Sequence, residues 1–446
     1  MEEYLRILLE QVRCKKAHTL IADEIRAHME DQIEDNMASG MPKEMAEMAA
    51  VRDMGDPVET GISLDRIHRP AMAWDIIFFM AIISMIGIVI HMLIGDSGAG
   101  SNQFMRYTVI GFIAMLIVYR VDYSFMAHHA KWIGTLFLAF SFCSIWAFGM
   151  MVNGNSDSIG IFIAGFFISI NYFCWMMLYV PIYGAILYQY HGTGKKGILT
   201  SFVWMMIPVI FALRLHNVIL AEILFVSMSV LLSIAVYKDW FQVSKKKFYF
   251  FLWGSVIVLP IILLALSMSF HWLASYQEAR ILGIIRGSEE NYITNMLKTS
   301  LGSSLLLGGN SVDLMKRLPG FNNDYIFGYL ISSYGILVGI AVCVVLVLIV
   351  VRCFRISLKQ KNQLGMMMGC GSSVVLLSNI VINILENIGL FPNTQTFLPF
   401  FSAGGSCTIS SYILIGVVLS VYRYKNILPI HISKLSGRKN ERHLSE

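Results

Sequence analysis

The stretch "FNNDYIFGYLISSYG", Phe321 to Gly335, places a carboxylate one residue ahead of an apolar run long enough to cross a bilayer. Apolar runs of roughly 18 or more residues recur along the chain, the length that spans a hydrocarbon core. Composition agrees: of 446 residues, 56% are hydrophobic and only 14% charged, with a mean hydropathy of +0.64. Soluble domains carry about a quarter charged residues. In lipid a segment must satisfy its own backbone groups, so the expected fold class is an all-α polytopic membrane protein. Spans are expected to begin near Ala73, Gln103, Ile133, Ile159, Ile198, Val218, Phe248, Tyr325, Met366 and Gly404, ten in all. The fourth, Ile159 to Tyr190, is long for one span and reads as a helix preceded by a re-entrant or interfacial piece.

The first seventy residues differ from the rest. Met1 to Pro70 holds fifteen Asp/Glu against nine Lys/Arg, a net of −6, while the remaining 376 residues carry a net of +11. A shift of this size marks a domain boundary. Ile21, Ile25, Met29 and Ile33 recur at four-residue spacing, the stripe of an amphipathic helix. Gly40 before Pro42, and "MGDP" at Met54 to Pro57, read as helix stops and restarts. The acidic start "MEEYLRILLEQVRCKK" has no basic n-region or cleavage site, so no signal peptide is expected. Three divisions follow: a small cytoplasmic helical domain over 1–70, a membrane domain over 71–424, and a basic cytoplasmic tail over 425–446.

Orientation follows from the Lys and Arg of the loops. With the N-terminal domain in the cytoplasm, the internal loops and tail hold eighteen Lys/Arg, and the short external loops only Arg106 and Arg214. Both termini are then cytoplasmic. Asp324 faces outward at the mouth of the eighth span. Between spans seven and eight lies a large extracytoplasmic loop, His271 to Asn323, far beyond ordinary connection length. Its apolar stretches interrupted by charge suit an amphipathic segment at the membrane surface. An acidic N-terminal domain has no charge attraction for nucleic acid, and no nucleic-acid partner is expected. Six of the seven cysteines lie in or beside apolar segments and the seventh is Cys14, which argues against a disulfide framework.

Two resemblances enter here. "IADEIRAHMED", "SGMPKEMAEMAAVRDMGDP" and "IHRP" resemble the permease-prefix domain found ahead of some bacterial membrane proteins, a helical appendage with no known chemistry. "SYQEARIL", Ser275 to Leu282, followed by "LKTSLGSSLLLGGNSVDLMKRLPGFNNDYIFGYLISSYG", is similar to the large external loop of the SEDS family (FtsW, RodA, SpoVE). "NILENIGLFPNTQTFLPFFSAGGSC", Asn383 to Cys407, resembles the same family's Asn-Ile-Gly, Leu-Pro-Phe and Ser-Tyr-Gly-Gly-Ser signature. The matching residues there include Asn387, Gly389, Pro392, Thr394, Pro399, Ser402, Gly404, Gly405 and Ser406.

The SEDS resemblance implies a peptidoglycan glycosyltransferase of the bacterial plasma membrane. It would join lipid-linked disaccharide-pentapeptide units into glycan strands for division, shape or sporulation, beside a class B penicillin-binding transpeptidase. The carboxylate that aligns with the family's catalytic aspartate is Asp324. As general base it would take the proton of a sugar hydroxyl attacking an anomeric carbon. It would alternatively hold a divalent cation, Mg or Mn, against the departing pyrophosphate. Lys298, Lys316, Arg317 and Arg280 are the candidate pyrophosphate contacts, with Asn323, Ser402, Gly404, Gly405 and Ser406 as further substrate-binding candidates.

The chain also departs from the pattern. Asn322 and Asn323 replace a His-Thr pair, Ser332 and Ser333 stand near a Gly-Glu-Glu run, and Ala403 replaces a tyrosine. No charged residue lies between Asp157 and Lys195, where the family's fourth span carries ions; Asn171 and Tyr172 are the polar groups there. Two alternatives therefore stand beside the enzyme: a catalytically weakened scaffold for a transpeptidase, and a flippase for the lipid-linked precursor.

Bland readings accompany the sharp ones. An Asp just before a helix is a good N-cap. Lys298, Lys316 and Arg317 serve equally as solvated loop charges. Gly308 and Gly309 read first as a plain turn. Asp75 and Glu386, near span ends, read as solvated or capping, and Glu222 as facing a cavity.

Overall fold

The computed structural model describes residues 1–94, 99–152, 155–163, 166–269, 292–309, 312–392, 394 and 396–427. Arg280, the rest of 271–291 and most of the basic tail lie outside the described residues. The chain divides into two compact units.

The first unit comprises Met1–Ala73, Gln360–Gln363 and the segment starting at Val421. Its helices are α1 (Glu2–Glu10), α2 (His18–Ala38), α3 (Lys43–Asp53) and α4 (Pro57–His68). Leu5 and Leu8 of α1 and Ile21 and Met29 of α2 are buried; Ile25 and Ile33, from the same expected stripe, are half-buried. Asp56 caps α4 by accepting the Val58 N–H (3.1 Å), with Pro57 in the first turn. Asp65 is buried and accepts the backbone N–H (3.0 Å) and guanidinium (2.7 Å) of Arg13. Those hydrogen bonds hold its carboxyl below the usual carboxylate range. The end of α4 is stitched to the chain's last described residues. Ala71 N–H donates to the Arg423 carbonyl (3.0 Å), and Asn426 Nδ2 to that of Ile67 (3.1 Å).

The second unit is the membrane part. Eight helices in the described residues are long and apolar enough to cross a membrane. They are α5 (Trp74–Ile94), α6 (Ala99–Arg120), α7 (Met126–Phe148), α10 (Gly194–Arg214), α11 (Val218–Tyr237), α16 (Ile336–Leu358), α17 (Gln363–Asn387) and α18 (Gly405–Arg423). A further apolar helix of 25 residues, α12 (Lys245–Ser269), occupies the place of the expected seventh span. Lipid is as apolar as leucine, so helices in it associate through close packing at small residues. That is visible at α6 and α18. A Cβ on Gly416 would lie 2.9 Å from the Met115 carbonyl, and one on Gly111 would strike the Tyr412 ring. Asp75 is not merely solvated: its carboxylate pairs with Arg352 (2.6 Å), joining α5 to α16.

Two expectations are corrected and one is refined. The helix expected in the fourth span, with a further piece ahead of it, is two short helices behind a small sheet. An antiparallel sheet, ordered β1 (Gly149–Val152), β2 (Asn155–Ile163), β3 (Phe166–Asn171), precedes two short helices, α8 (Tyr172–Met177) and α9 (Tyr179–Gln189). The fold is therefore helical with one small sheet. Register pairs Ser158 with Asn171 and Ile161 with Ile168. Ile159, Ile161 and Ile163 alternate, which suits a strand's period of two. The eighth span begins at Ile336, not near Tyr325. Residues 326–334 form a separate helix, α15 (Ile326–Tyr334), ended by Gly335 at φ 102°. Finally, Cys174 of α8 and Cys407 of α18 form a disulfide across 233 residues. Spacing along the chain gave no hint of it, because the fold alone brings the two helix ends together.

Candidate functional site

Asp324 stands in a tight turn after two short helices of the long loop, α13 (Tyr292–Gly302) and α14 (Val312–Lys316). The N–H groups of Asn323, Asp324 and Tyr325 all point at the Gly320 carbonyl (2.9, 2.9 and 3.3 Å). The cap position of α15 is Tyr325, and no side chain of its own segment caps it. Asp324 is therefore not the helix cap. Its Oδ1 accepts from Asn323 Nδ2 (2.8 Å). Its Oδ2 lies over Gly320, 3.3 Å from where a Cβ would stand.

The cap comes from another helix. Asn387 Oδ1 on α17 accepts the Gly328 N–H (2.9 Å), one of the first-turn donors that α15 leaves unmet. Asn387 Nδ2 also donates to the Asp324 carbonyl, as does Asn383 Nδ2, each at 3.0 Å. Asn383 and Asn387 sit four residues apart and so share one face of α17. Both are fully buried. The carbonyl of Asp324 is thus pinned between two amides while its side chain projects from the turn.

Asn323 is held by the second signature stretch. Ser402 Oγ donates to the Asn323 carbonyl (2.6 Å) and accepts the Leu398 N–H (2.7 Å). Gly404 N–H donates to Asn323 Oδ1 (3.0 Å), and Ala403 N–H to the Asn322 carbonyl (3.1 Å). Asn322 and Asn323 are the residues that depart from the family's His-Thr pair, and here they join the two motifs. Ser406 turns elsewhere and accepts the Asn171 N–H (3.2 Å). Gly405 leaves room for the Tyr107 ring, 2.6 Å from where a Cβ would lie.

The carboxyl of Asp324 is pushed up to about 8, first by burial and second by the like charge of Glu386. Glu386 is a correction: it is 1% exposed, not solvated. Its carboxylate accepts from the Thr394 N–H (2.6 Å) and hydroxyl (3.4 Å), and from the Thr396 N–H (3.3 Å) and hydroxyl (2.6 Å). Among the described residues no group of three or more His, Cys, Asp or Glu gathers to hold a metal. One described amide donor, Asn323 Nδ2, reaches the Asp324 carboxylate, and at least four donors engage Glu386. Mg and Mn commonly rest on one or two carboxylates with water and substrate phosphates, so Asp324 is the residue that would hold such a cation.

The basic candidates stand apart from this knot. Lys298 on α13 is exposed and lies along Gly389. Lys316 and Arg317, at the end of α14, are also exposed. No hydrogen bond described joins any of the three to Asp324. Gly309 packs rather than binds: a Cβ there would overlap the Ser332 and Ser333 carbonyls. Sequence reading missed Asn383 as a contact of Asp324, and Glu386 as its charged neighbour. The available signal was their spacing with Asn387 on one helix face.

The profile that describes the cell cycle proteins FtsW, RodA and SpoVE matches residues 67–427. The chain belongs to the FtsW/RodA/SpoVE family. Two relatives are each named a probable peptidoglycan glycosyltransferase FtsW. The chain is 29% identical to that of Thioalkalivibrio sp. (strain K90mix), over 34% of this chain and 41% of the relative. It is 26% identical to that of Hydrogenovibrio crunogenus, over 70% of this chain and 79% of the relative. The aligned stretch thus spans less than half of the first relative and most of the second. A chain from a solved peptidoglycan synthase complex superimposes with a TM-score of 0.61 at 16% identity, over 80% of this chain and 98% of that one. That likeness shows that the two chains share a fold.

Proposed function

We propose that this FtsW/RodA/SpoVE protein is a peptidoglycan glycosyltransferase with Asp324 as its general base. The supporting observation is the union of the two signature stretches around one carboxylate. Ser402 and Gly404 grip Asn323, the residue before it. Asn383 and Asn387 grip its own carbonyl. A turn tied at so many points holds the side chain in a fixed place while leaving it in reach of a ligand.

The chemistry follows from that placement. A sugar hydroxyl is a weak nucleophile, and its proton must leave as the oxygen bonds to the anomeric carbon. Asp324 accepts that proton; the C–O bond to the lipid pyrophosphate breaks, and the pyrophosphate carries the electron pair away. A base titrating near 8 is close to working pH, where general-base catalysis is most effective. The base form grows as pH rises, so the rate should rise through the same range. Lys298, Lys316 and Arg317, exposed on the same loop, are the point charges and forks suited to pyrophosphate. On the Lys/Arg asymmetry of the loops, the site faces outward and both termini face the cytoplasm. The partner we assign is a transpeptidase, on the strength of the fold shared with a synthase complex that couples polymerization to crosslinking.

The test is polymerisation of lipid-linked disaccharide-pentapeptide by purified protein, wild type against Asp324→Asn. Retained folding with loss of roughly a hundredfold or more in rate is expected. A wild type with no activity, alone or with a transpeptidase, supports the second reading, a scaffold. What favours that reading is the fourth-span region. Asn171 and Tyr172 are engaged there as a cap and with Ser144, and a disulfide occupies the place beside them.

A further inference from the structure

Glu386 is the buried carboxylate that the reaction as written does not use. It shares the polar face of α17 with Asn379, Asn383 and Asn387, all fully buried. Among the described residues, Thr394 and Thr396, in the segment that folds back after α17, give it four hydrogen bonds. Thr396 is the shared link. Its hydroxyl donates to Glu386 Oε2 (2.6 Å) and accepts from Asn383 Nδ2 (3.3 Å), and its carbonyl accepts from the same Nδ2 (3.1 Å). That Nδ2 is also one of the two donors on the Asp324 carbonyl. The path Glu386–Thr396–Asn383–Asp324 is therefore continuous, with a hydrogen bond at each step. A buried charge is retained at considerable cost unless it is fully hydrogen-bonded. Here the donors that satisfy it also latch the fold-back segment leading to Leu398, Ser402 and Gly404.

We propose that Glu386 is a positioning residue for Asp324, latching Thr394 and Thr396 onto α17 so that Asn383 is aimed at the Asp324 carbonyl. This rests on the glycosyltransferase reading, because positioning matters only where Asp324 acts. Two consequences separate its parts. The latch needs an acceptor for each of the two threonine N–H groups: glutamate supplies two, glutamine one and methionine none. The charge, in contrast, is felt by the Asp324 carboxyl, the two being the facing acidic groups in the knot.

Three full-length variants test the proposal, by hydrogen–deuterium exchange of the peptides covering 321–328 and 396–402 and by the pH profile of polymerisation. Glu386→Gln should speed exchange less than the methionine variant does and move the rising limb of the rate to lower pH. Glu386→Met should speed exchange in both peptides and lower the rate by about tenfold to a hundredfold at every pH. Thr396→Val, which keeps the backbone and loses only the hydroxyl, should speed exchange at 321–328 to a smaller degree. It decides the matter should the methionine variant fail to fold. Wild-type exchange at 321–328 in both the Met and the Val variant would overturn the latch. An unmoved limb in Glu386→Gln would overturn the charge coupling. An inactive wild type would defeat the glycosyltransferase reading, yet the exchange measurements would still decide the latch.

Discussion

At the scale of single residues the organising atom is the Asp324 carbonyl, not only its carboxylate. Two amides hold it, and one of them, Asn387, also caps α15 through Gly328. Replacing Asn387 by alanine strands the buried Gly328 N–H and removes one of those donors. The expected cost is about 1–3 kcal/mol, seen as a lower melting temperature in detergent, together with reduced polymerisation. Unchanged stability and rate would mean that the cap lies elsewhere. Asp324, Ser402 and Gly404 were legible in sequence as candidates, and Asn387 as a residue matching the signature. What each does was not legible. The bonds that define their roles close over 59 residues at Asn387 and 81 at Gly404, and no local pattern encodes such distances. The helix-cap reading of Asp324 failed for the same reason: the local rule was sound, but a distant side chain took the position.

At the scale of elements, the long apolar runs were readable because a bilayer imposes its thickness on sequence. The breaks within them were less so. "SSYGILV" reads as a continuous apolar run, yet the chain divides there into α15 and α16. Gly335 sits at φ 102° and a Cβ on it would lie 2.7 Å from the Leu306 carbonyl. Ile336 N–H donates to the Leu305 carbonyl (3.0 Å), so the strap at 305–308 fastens at this break. Gly335→Ala meets both the backbone conformation and the strap. It should destabilise by about 1–3 kcal/mol and speed cleavage at exposed Leu306 and Leu307 by a protease added to the purified protein. A variant as stable and as resistant as wild type would show that the strap is not anchored there. The sheet ahead of α8 was also missed. Its alternating isoleucines lie in a stretch whose overall hydrophobicity suits a helix as well as a strand.

At the scale of the whole molecule, membrane class followed from composition alone, and family from two motifs in the right order. Sidedness rests on the distribution of Lys and Arg. A cysteine introduced at exposed Ser303 should react with an impermeant thiol reagent in intact cells, whereas Cys14 should react only after permeabilisation. Labelling of Cys14 without permeabilisation would reverse the assignment and place Asp324 on the wrong side for an external substrate. The functional reading comes down to whether one half-buried carboxyl takes a proton during glycan synthesis. The most direct measurement is the rate of polymerisation of lipid-linked disaccharide-pentapeptide between about pH 6 and pH 9, for wild type and Asp324→Asn side by side. A carboxyl pushed up to about 8 is mostly protonated below that value and mostly a base above it. The wild-type rate should therefore climb with a midpoint near 8, and the asparagine variant should stay low and flat at every pH. A variant that polymerises within a factor of a few of wild type and follows the same pH profile would contradict the account.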